Sequence, residues 1–255
     1  MGKLDGRVAV VTGSTSGIGE GVAETLAREG ASVVVSGRRA ERGDAVVKRI
    51  VDAGGRAVFH EADLADATQC RPLVDRAADE FGALDILVNS AGIFPAITFE
   101  ETTVEDWDRV FALNARAAYF CAQAALPHMR VRGGGSITNI GSTHPFLTGE
   151  GQFVYGVSKG ALYTMTRKLA KLLAPDRVRV NWISVGWVLT EQERKLRNVP
   201  DDDAHWIEEH APHNPLGEFT TVEDVAEATL YLASDSGRHV TGTDLGVHSG
   251  ISIHM

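Results

Sequence analysis

Short runs of β-branched and apolar residues alternate with longer segments whose apolar residues recur at helical spacing. Such runs are typical of buried strands, and the segments between them have the length and periodicity of helices. Strands that alternate with helices predict a parallel sheet covered on both faces, with ligands at the carboxyl ends of the strands. We therefore predict one doubly wound α/β domain over residues 1–255. The predicted strands cover residues 7–12, 31–37, 56–64, 83–92, 136–141, 177–185 and 243–247, and the predicted helices 21–30, 40–53, 66–81, 103–131, 153–173 and 222–233.

Charge and composition restrict the kind of partner and the location. With 255 residues, 44% of them hydrophobic, the chain can bury the core of one large domain. A formal charge of −9 disfavours a nucleic-acid or anionic-membrane surface, so a small-molecule partner fits better. Cys70 and Cys121 have no metal-ligand spacing, and the N-terminus has no signal-like apolar core. No apolar run approaches the about 20 residues of a membrane-spanning helix, so we expect a cytoplasmic protein.

A glycine-rich turn joins the first predicted strand to the first predicted helix. Its glycines would let the backbone turn tightly and approach a pyrophosphate, whose charge the amides at the helix N-terminus would hold. A tight turn with only a structural role is the alternative, but the strand before it and the helix after it are the context that the binding motif requires. The predicted phosphate-binding loop comprises Gly13, Ser14, Thr15, Ser16, Gly17, Ile18 and Gly19.

The residue types that follow the second and third strands indicate which dinucleotide binds. After the second strand an acidic side chain would accept from a free ribose 2′-hydroxyl, whereas arginine matches a 2′-phosphate. Arg38 and Arg39 stand there without an acid, which favours NADP over NAD, although Arg38 could equally be solvated or stack on adenine. Asp63 and Leu64 follow the third strand, where Asp63 could accept from the adenine amino group or cap the next turn.

Two further loops are predicted to lie against the cofactor. The fourth strand closes with small residues, and Asn89, Ala91 and Gly92 would leave room for a cofactor beside the backbone; a plain turn is the alternative. The sixth strand is followed by a loop that begins at Gly186 and should face the nicotinamide.

The residues that can carry chemistry are a hydroxyl, a phenol and an ammonium. Tyr155 and Lys159 are four residues apart on one predicted helix face, where a neighbouring ammonium favours the phenolate. An ordinary amphipathic helix face is the alternative for this pair taken alone. Ser142 follows a buried strand and would lie at its carboxyl end. Asn114 lies among apolar residues of a long helical segment, where its amide must either bond the backbone or hold a water molecule.

A segment late in the chain breaks the alternation of strands and helices. Residues 187–218 are rich in charges, prolines and histidines, and we interpret them as a substrate lid. His205, His210 and His213 form no converging ligand pattern, so we expect no metal site. The apolar tail that begins at Ile251 is expected to pack on a neighbouring subunit.

Together these motifs resemble the short-chain dehydrogenase/reductase family over nearly the whole chain. Each motif alone is weak evidence, whereas five in the right order and spacing are specific. The motifs are Thr12-Gly13-Ser14-Thr15-Ser16-Gly17-Ile18-Gly19, Asn89-Ser90-Ala91-Gly92, Asn114, Ser142 and Tyr155-Gly156-Val157-Ser158-Lys159.

The resemblance implies a Rossmann fold, NAD(P) as the hydride carrier, a dimer or more often a tetramer of identical chains, and a catalytic tetrad. Tyr155 would be the general acid/base, and Ser142 would hydrogen-bond the reacting oxygen. Lys159 would lower the pKa of Tyr155 and bind the nicotinamide ribose, while Asn114 would hold a water molecule that links Lys159 to solvent. Gly186, Val188 and Thr190 would meet the nicotinamide carboxamide.

The sequence departs from the usual family pattern at three places. Val185 replaces the common proline before Gly186, which should alter the geometry of this loop more than the reaction type. Ser90 replaces a common asparagine, and His248-Ser249-Gly250 replaces a glycine pair, which puts the tail contacts in doubt.

The substrate is less constrained than the reaction. The residues His144, Glu150, Gln152, Trp187 and Trp206 would line a pocket suited to a sugar or polyol. The alternative enzyme is a 3-oxoacyl-thioester (acyl-carrier-protein) reductase, although an acidic chain suits an acidic carrier protein poorly. The alternative of another class is a non-catalytic dinucleotide-binding regulator, which would have no physical need for a phenol and an ammonium at this spacing.

Overall fold

A parallel sheet of seven strands organises the structure, a computed structural model that describes residues 2–147, 151–199 and 204–252. The strands are β1 (Val8–Thr12), β2 (Ser32–Gly37), β3 (Arg56–Glu61), β4 (Ile86–Asn89), β5 (Gly135–Ile140), β6 (Val178–Val185) and β7 (Asp244–Val247). They lie in the order β3-β2-β1-β4-β5-β6-β7, and every neighbouring pair is parallel. The strand order reverses between β1 and β4, where doubly wound sheets open a crevice for ligands.

Helices cover both faces of the sheet, as the sequence predicts. The helices are α1 (Gly17–Arg28), α2 (Ala40–Asp52), α3 (Cys70–Phe81), α4 (Val104–Phe111), α5 (Ala117–Arg132), α6 (Phe153–Leu173), α7 (Glu191–Arg197), α8 (Ala204–His210) and α9 (Val222–Ala233). Side chains alternate along each strand, so Ala9 and Val11 pack under α1, α2 and α9. Val8 and Val10 pack under α3, α5 and α6 on the opposite face. Because helices cover both faces of the sheet, each strand is buried on both sides and is a continuous run of apolar residues.

Some predicted element boundaries are wrong for identifiable reasons. Strand β3 ends at Glu61 instead of residue 64, because its pairing with β2 ends there. The Asp66 side chain accepts from the Thr68 backbone N–H and begins a 3₁₀ turn, so α3 starts at Cys70 and not at residue 66. The segment predicted as one helix over 103–131 is interrupted by a π-helical segment, Ala112–Arg116, and π segments are often found at functional sites.

The segment interpreted as a lid folds on the side of the sheet where the strands end. It contributes α7, α8 and a 3₁₀ turn over Ala211–His213. Within the described ranges, none of the helices is long and apolar enough to cross a membrane.

Candidate active site

The carboxyl ends of the strands open into a cavity of about 720 Å³. The loops after β1, β2, β4, β5 and β6 contribute to its walls, together with the N-terminal part of α6 and with α7. Most of the residues predicted as cofactor-binding or catalytic therefore line one continuous space. These residues are Gly13, Thr15, Ser16, Gly17, Ile18, Gly19, Arg38, Arg39, Asp63, Leu64, Ala91, Gly92, Ser142, Tyr155, Lys159, Gly186, Val188 and Thr190.

The glycines of the loop after β1 are required by close packing of the backbone. A Cβ on Gly13 would lie 2.7 Å from the Ala91 Cα, and Gly13 also has a φ of +64°. A Cβ on Gly19 would lie 2.5 Å from the Gly13 carbonyl oxygen. Ser16 precedes α1 with an extended backbone, and its side chain does not cap the helix. The first amides of α1 thus face the cavity without a side-chain cap and are suited to hold an anion.

Two predicted cofactor residues lie beneath the cavity wall instead of in it. The Ser14 hydroxyl donates to the Val11 carbonyl (2.6 Å) and accepts from the Ser36 backbone N–H (2.9 Å), so it ties the first loop to β2. The Asn89 amide donates to Asn139 Oδ1 (2.8 Å) across the β4–β5 pair. Both side chains are buried and stabilise the sheet, and the cofactor-binding role of these two residues stays a prediction.

Arginines surround the end of the cavity that follows β2. Arg38 and Arg39 are exposed, and neither has an ion-pair partner among the described residues. Arg42 makes a bidentate pair with Glu191 of α7 (2.8 and 3.2 Å), which links α2 to the lid segment and holds the pKa of Glu191 at about 2. Beside them Ser36 lines the cavity, and its hydroxyl is buried without a hydrogen-bond partner among the described residues.

Asp63 and Leu64 also border this end of the cavity. Asp63 lines the cavity while its Oδ1 accepts from the Ala65 backbone N–H (3.1 Å). Asp63 therefore caps the turn, which is one of the two roles considered for it, and it also lies in the cavity wall.

Tyr155 and Lys159 lie one turn apart on α6, and burial dominates the acid–base properties of both. The Lys159 Nζ donates to the Ile140 carbonyl (2.7 Å) and lies 5.8 Å from the centroid of the Tyr155 ring. Loss of hydration lowers the pKa of Lys159 to about 8. The same cause raises the pKa of Tyr155 to about 12, against a smaller lowering by a hydrogen bond with Ser142. Burial therefore opposes the lowering of the Tyr155 pKa by Lys159 that the resemblance implies, and that lowering stays a prediction.

A chain of hydrogen bonds fixes the hydroxyl of Ser142. The Gln152 amide nitrogen donates to the Phe94 carbonyl (3.0 Å). Burial lowers the pKa of His144, and a hydrogen bond with Gln152 raises it by less. Ser142 Oγ lies 3.0 Å from His144 Nδ1, and the His144 backbone N–H donates to the same oxygen (3.1 Å). Gln152 has a φ of 57°, a strained conformation at the start of the catalytic helix.

Asn114 lies in the π-helical segment and is fully engaged by the protein. Its Oδ1 accepts from the Ile93 backbone N–H (2.9 Å), and its Nδ2 donates to the Ile93 carbonyl (2.8 Å) and to Ser158 Oγ (3.0 Å). Of the two possibilities stated for its amide, the structure has the bond to the backbone. Asn114 thereby fixes the loop after β4 against α6, one residue before Lys159.

The wall opposite the glycine loop is built around Trp187. Its indole N–H donates to Glu193 Oε1 (2.8 Å), and the same oxygen accepts from the Arg197 Nε (2.5 Å). The Arg197 guanidinium lies over the Trp187 ring, 4.3 Å from its centroid. Trp187, Glu193 and Arg197 all line the cavity.

Trp206 is not among the described residues that line the cavity, and its predicted contact with the substrate stays a prediction. It stacks on His210, with ring centroids 4.0 Å apart, and contacts Trp187 edge-on at 5.6 Å. Trp206 thus supports Trp187 from behind. His144 and Gln152 line the cavity as predicted, and Glu150 lies outside the described residues.

Several lining residues were not predicted from the sequence. Glu193 and Arg197 are four residues apart, and this spacing predicts an ion pair if the segment is helical. In the sequence alone they are two charged residues among many in a polar segment. Ile251 lines the cavity, which gives the start of the tail a role within its own chain. These lining residues include Ser36, Arg42, Phe94, Glu191, Glu193, Lys195, Arg197 and Ile251.

No group of three or more His, Cys, Asp or Glu side chains within residues 2–147, 151–199 and 204–252 is placed to hold a metal ion. His210 contacts His213 at a ring-centroid distance of 5.6 Å and otherwise packs on Trp206 and Trp187. These two histidines contribute to the aromatic packing behind the cavity.

Comparison with known proteins gives matches over the whole chain. The family model described as enoyl-(acyl carrier protein) reductase matches residues 13–252. An uncharacterised oxidoreductase of Methylorubrum extorquens is 39% identical, over 98% of this chain and 100% of the relative. A solved 7α-hydroxysteroid dehydrogenase, complexed with NADH and 7-oxo glycochenodeoxycholic acid, is 33% identical with a TM-score of 0.90, over 97% of this chain and 94% of the other. A gluconate 5-dehydrogenase of Burkholderia cenocepacia, in complex with NADP and tartrate, is 32% identical with a TM-score of 0.90, over 99% and 97%.

Proposed function

The chain belongs to the short-chain dehydrogenase/reductase family, and on that premise we propose that Tyr155, Ser142 and Lys159 interconvert a secondary alcohol and its ketone, with NADP as the preferred hydride carrier. The protein is an NAD(P)-dependent oxidoreductase that acts on CH–OH groups. One observation supports these roles most directly. The phenol of Tyr155, the ammonium of Lys159 and the hydroxyl of Ser142 belong to residues that line the same cavity as a glycine loop at a helix N-terminus.

The residues at the β2 end of the cavity fit the adenosine part of NADP. Gly13 and Gly19 have no space for a side chain, and the uncapped amides of α1 suit a pyrophosphate. Arg38 supplies a guanidinium for a 2′-phosphate, and the buried Ser36 hydroxyl has its hydrogen-bonding capacity free among the described residues. An acceptor for a free 2′-hydroxyl, as NAD would need, is not provided by Arg38 or Arg39. These features support NADP over NAD.

Tyr155 exchanges a proton with the substrate oxygen in this proposal. Because its pKa is about 12, the phenol keeps its proton at neutral pH and can donate it to a carbonyl oxygen during reduction. In oxidation the phenolate accepts the hydroxyl proton of the alcohol, and the Lys159 ammonium stabilises that phenolate. When bound, the nicotinamide supplies or accepts the hydride at its C4. Ser142 hydrogen-bonds the same substrate oxygen and stabilises the charge that develops on it.

The positions of Lys159 and Asn114 support the remaining roles. The Lys159 ammonium uses one donor on Ile140, which leaves two donors for the nicotinamide ribose hydroxyls. Asn114 holds the loop after β4 against α6 and thereby positions both Gly92 and Lys159. We propose that Asn114 acts through this positioning.

Residues 187–218 are proposed to close over the substrate. The Arg42–Glu191 pair spans from α2 to α7, so the lid segment is tied to the cofactor end of the cavity. The gluconate 5-dehydrogenase named above acts on a polyhydroxy compound, which supports a sugar, polyol or related substrate here. An acyl-carrier-protein substrate is less favoured because the chain has a net charge of −9. A cytoplasmic location and a dimeric or tetrameric assembly stay predictions of the sequence.

Tyr155→Phe tests the proposal. We expect the wild type to reduce NADP⁺ or NAD⁺ with members of a panel of sugars, polyols, secondary alcohols and hydroxyacyl thioesters, as measured by the absorbance of the reduced nicotinamide. The variant should lose turnover by a factor of about 10²–10⁴ and keep its affinity for the cofactor in calorimetry. Equal activity in both proteins would contradict the role of Tyr155. If the wild type bound the cofactor but turned over none of the compounds, the result would favour a non-catalytic dinucleotide-binding regulator.

A further inference from the structure

The Arg197 side chain is held in an orientation that the proposed reaction alone does not explain. Glu193 binds its Nε, and the guanidinium lies over the Trp187 indole, 4.3 Å from the ring centroid. Glu193 is itself buried and is fixed through the Trp187 N–H. These two contacts restrict the conformational freedom of the guanidinium.

The other edge of the guanidinium carries its terminal N–H groups, and Arg197 is one of the residues that line the cavity. Within residues 2–147, 151–199 and 204–252, the ion pair of Arg197 runs through Nε, and the two terminal nitrogens have no protein acceptor. Burial is the main cause of the raised pKa of Tyr155 and of the lowered pKa of His144, and the charges of Glu193 and Arg197, respectively, add smaller shifts in the same directions. An oriented fork of donors thus shares one space with the reacting groups.

We infer that the substrate carries a carboxylate, and that Arg197 binds it while the secondary hydroxyl or ketone meets Tyr155 and Ser142. The inference rests on the proposed function. A carboxylate matches two parallel N–H groups of a guanidinium, and a charge-assisted bidentate pair is stronger than the bonds that a neutral hydroxyl would make. Lys195, at the same wall, adds a second cation although Glu191 pairs with it. The substrate class is then a hydroxy acid or its oxo acid, including sugar acids.

Glu193 does not occupy the place of the substrate carboxylate. Its oxygen Oε1 accepts from both Trp187 and Arg197 on the Nε side, so it fixes the guanidinium without covering the terminal nitrogens. A guanidinium has five N–H donors and can serve two carboxylates on different edges. Glu193 is therefore a positioning residue for Arg197 and reduces the cost of orienting it.

The test uses matched acid and neutral compounds. Each member of a panel of aliphatic and polyhydroxy hydroxy acids is paired with its primary amide, and kcat and KM are measured with NADP⁺ for the wild type, Arg197→Met and Arg71→Met. Arg71 is an exposed arginine of α3 outside the cavity wall and controls for the loss of one positive charge. Arg197→Met should raise KM for the acids about 10- to 100-fold, change kcat less, and leave the amides nearly unaffected. Arg71→Met should leave both unchanged.

Two results would overturn the inference. One is a wild type that uses the amides as well as the acids, and the other is a variant that loses both to the same extent. Failure of the proposed function is distinguished by a second measurement that needs no turnover. Calorimetry of tartrate with the NADP⁺-loaded protein should give binding that Arg197→Met weakens at least about tenfold. Equal binding to both proteins would refute the carboxylate site even if no compound is turned over.

Discussion

Lys159 gives a quantitative test of how burial sets the chemistry of the site, through the variant Lys159→Met. The side chain is only 5% exposed, and its pKa is lowered to about 8 by the loss of hydration. Methionine has a similar length and no charge. The variant should be inactive, because no ammonium remains beside Tyr155. Its stability should also depend on pH differently from that of the wild type.

The direction of this difference follows from proton binding in the two states. Below about pH 8 both folded and unfolded wild type carry the proton on Lys159, and burying the cation costs about 3 kcal/mol for a lowering from 10.5 to about 8. Between these values the unfolded chain binds more protons, so wild-type stability rises with pH. Lys159→Met has no such rise. Its stability relative to the wild type should therefore fall by about 2–3 kcal/mol between about pH 7 and about pH 10.

The slope with pH is the informative quantity, because the variant also leaves the Ile140 carbonyl without its partner. That loss costs about 1–3 kcal/mol at every pH and nearly offsets the gain at neutral pH. Urea unfolding at several pH values, at one protein concentration, gives the difference in free energy of unfolding. Lys168→Met, at an exposed position of the same helix, is the control and should show no pH-dependent difference. A pH-independent difference for Lys159→Met would refute the argument from burial.

Two further substitutions test the cofactor end and the fixed hydroxyl. Arg38→Gln should raise KM for NADP⁺ about 10- to 100-fold and leave KM for NAD⁺ nearly unchanged in steady-state assays; an unchanged ratio would contradict the assignment of Arg38. His144→Leu should lower kcat about tenfold because the Ser142 hydroxyl loses the ring nitrogen that orients it, whereas His144→Asn, whose amide can hydrogen-bond Ser142 instead, should recover much of it. Equal kcat values for the leucine and asparagine variants would contradict the role of His144 in orienting Ser142.

The part of the site that depends on local spacing was predictable from the sequence. Tyr155 and Lys159 line the cavity together because four residues make one turn of α6. The glycine loop follows from its position between a strand and a helix, and the close contact of Gly13 with Ala91 explains why its spacing matters. The fold class was predictable for the same reason, since buried parallel strands are continuous apolar runs.

The part that depends on distant partners was not predictable from spacing. Asn89 bonds Asn139, 50 residues away, through the β4–β5 pairing, so a polar residue beside the cofactor loop turned out to stabilise the sheet. Ser14 likewise bonds β2. Spacing reveals the ammonium near Tyr155 but not the burial that raises the pKa of its phenol. Each of these features concerns an environment made by several elements together.

The two ends of the cavity are held by different kinds of contact. This difference determines which residues can change the substrate specificity of the site without changing its reaction. The glycine loop, Ser142 and the first turn of α6 are held by the sheet, by backbone contacts and by buried hydrogen bonds. Trp187 and Arg197 belong to the segment after β6, where short helices pack through side chains. A change in that segment can alter the wall that faces the substrate without moving the groups that exchange the proton. Specificity for a carboxylate is therefore separable from the reaction, which is why Arg197→Met should act on KM while Tyr155→Phe acts on kcat.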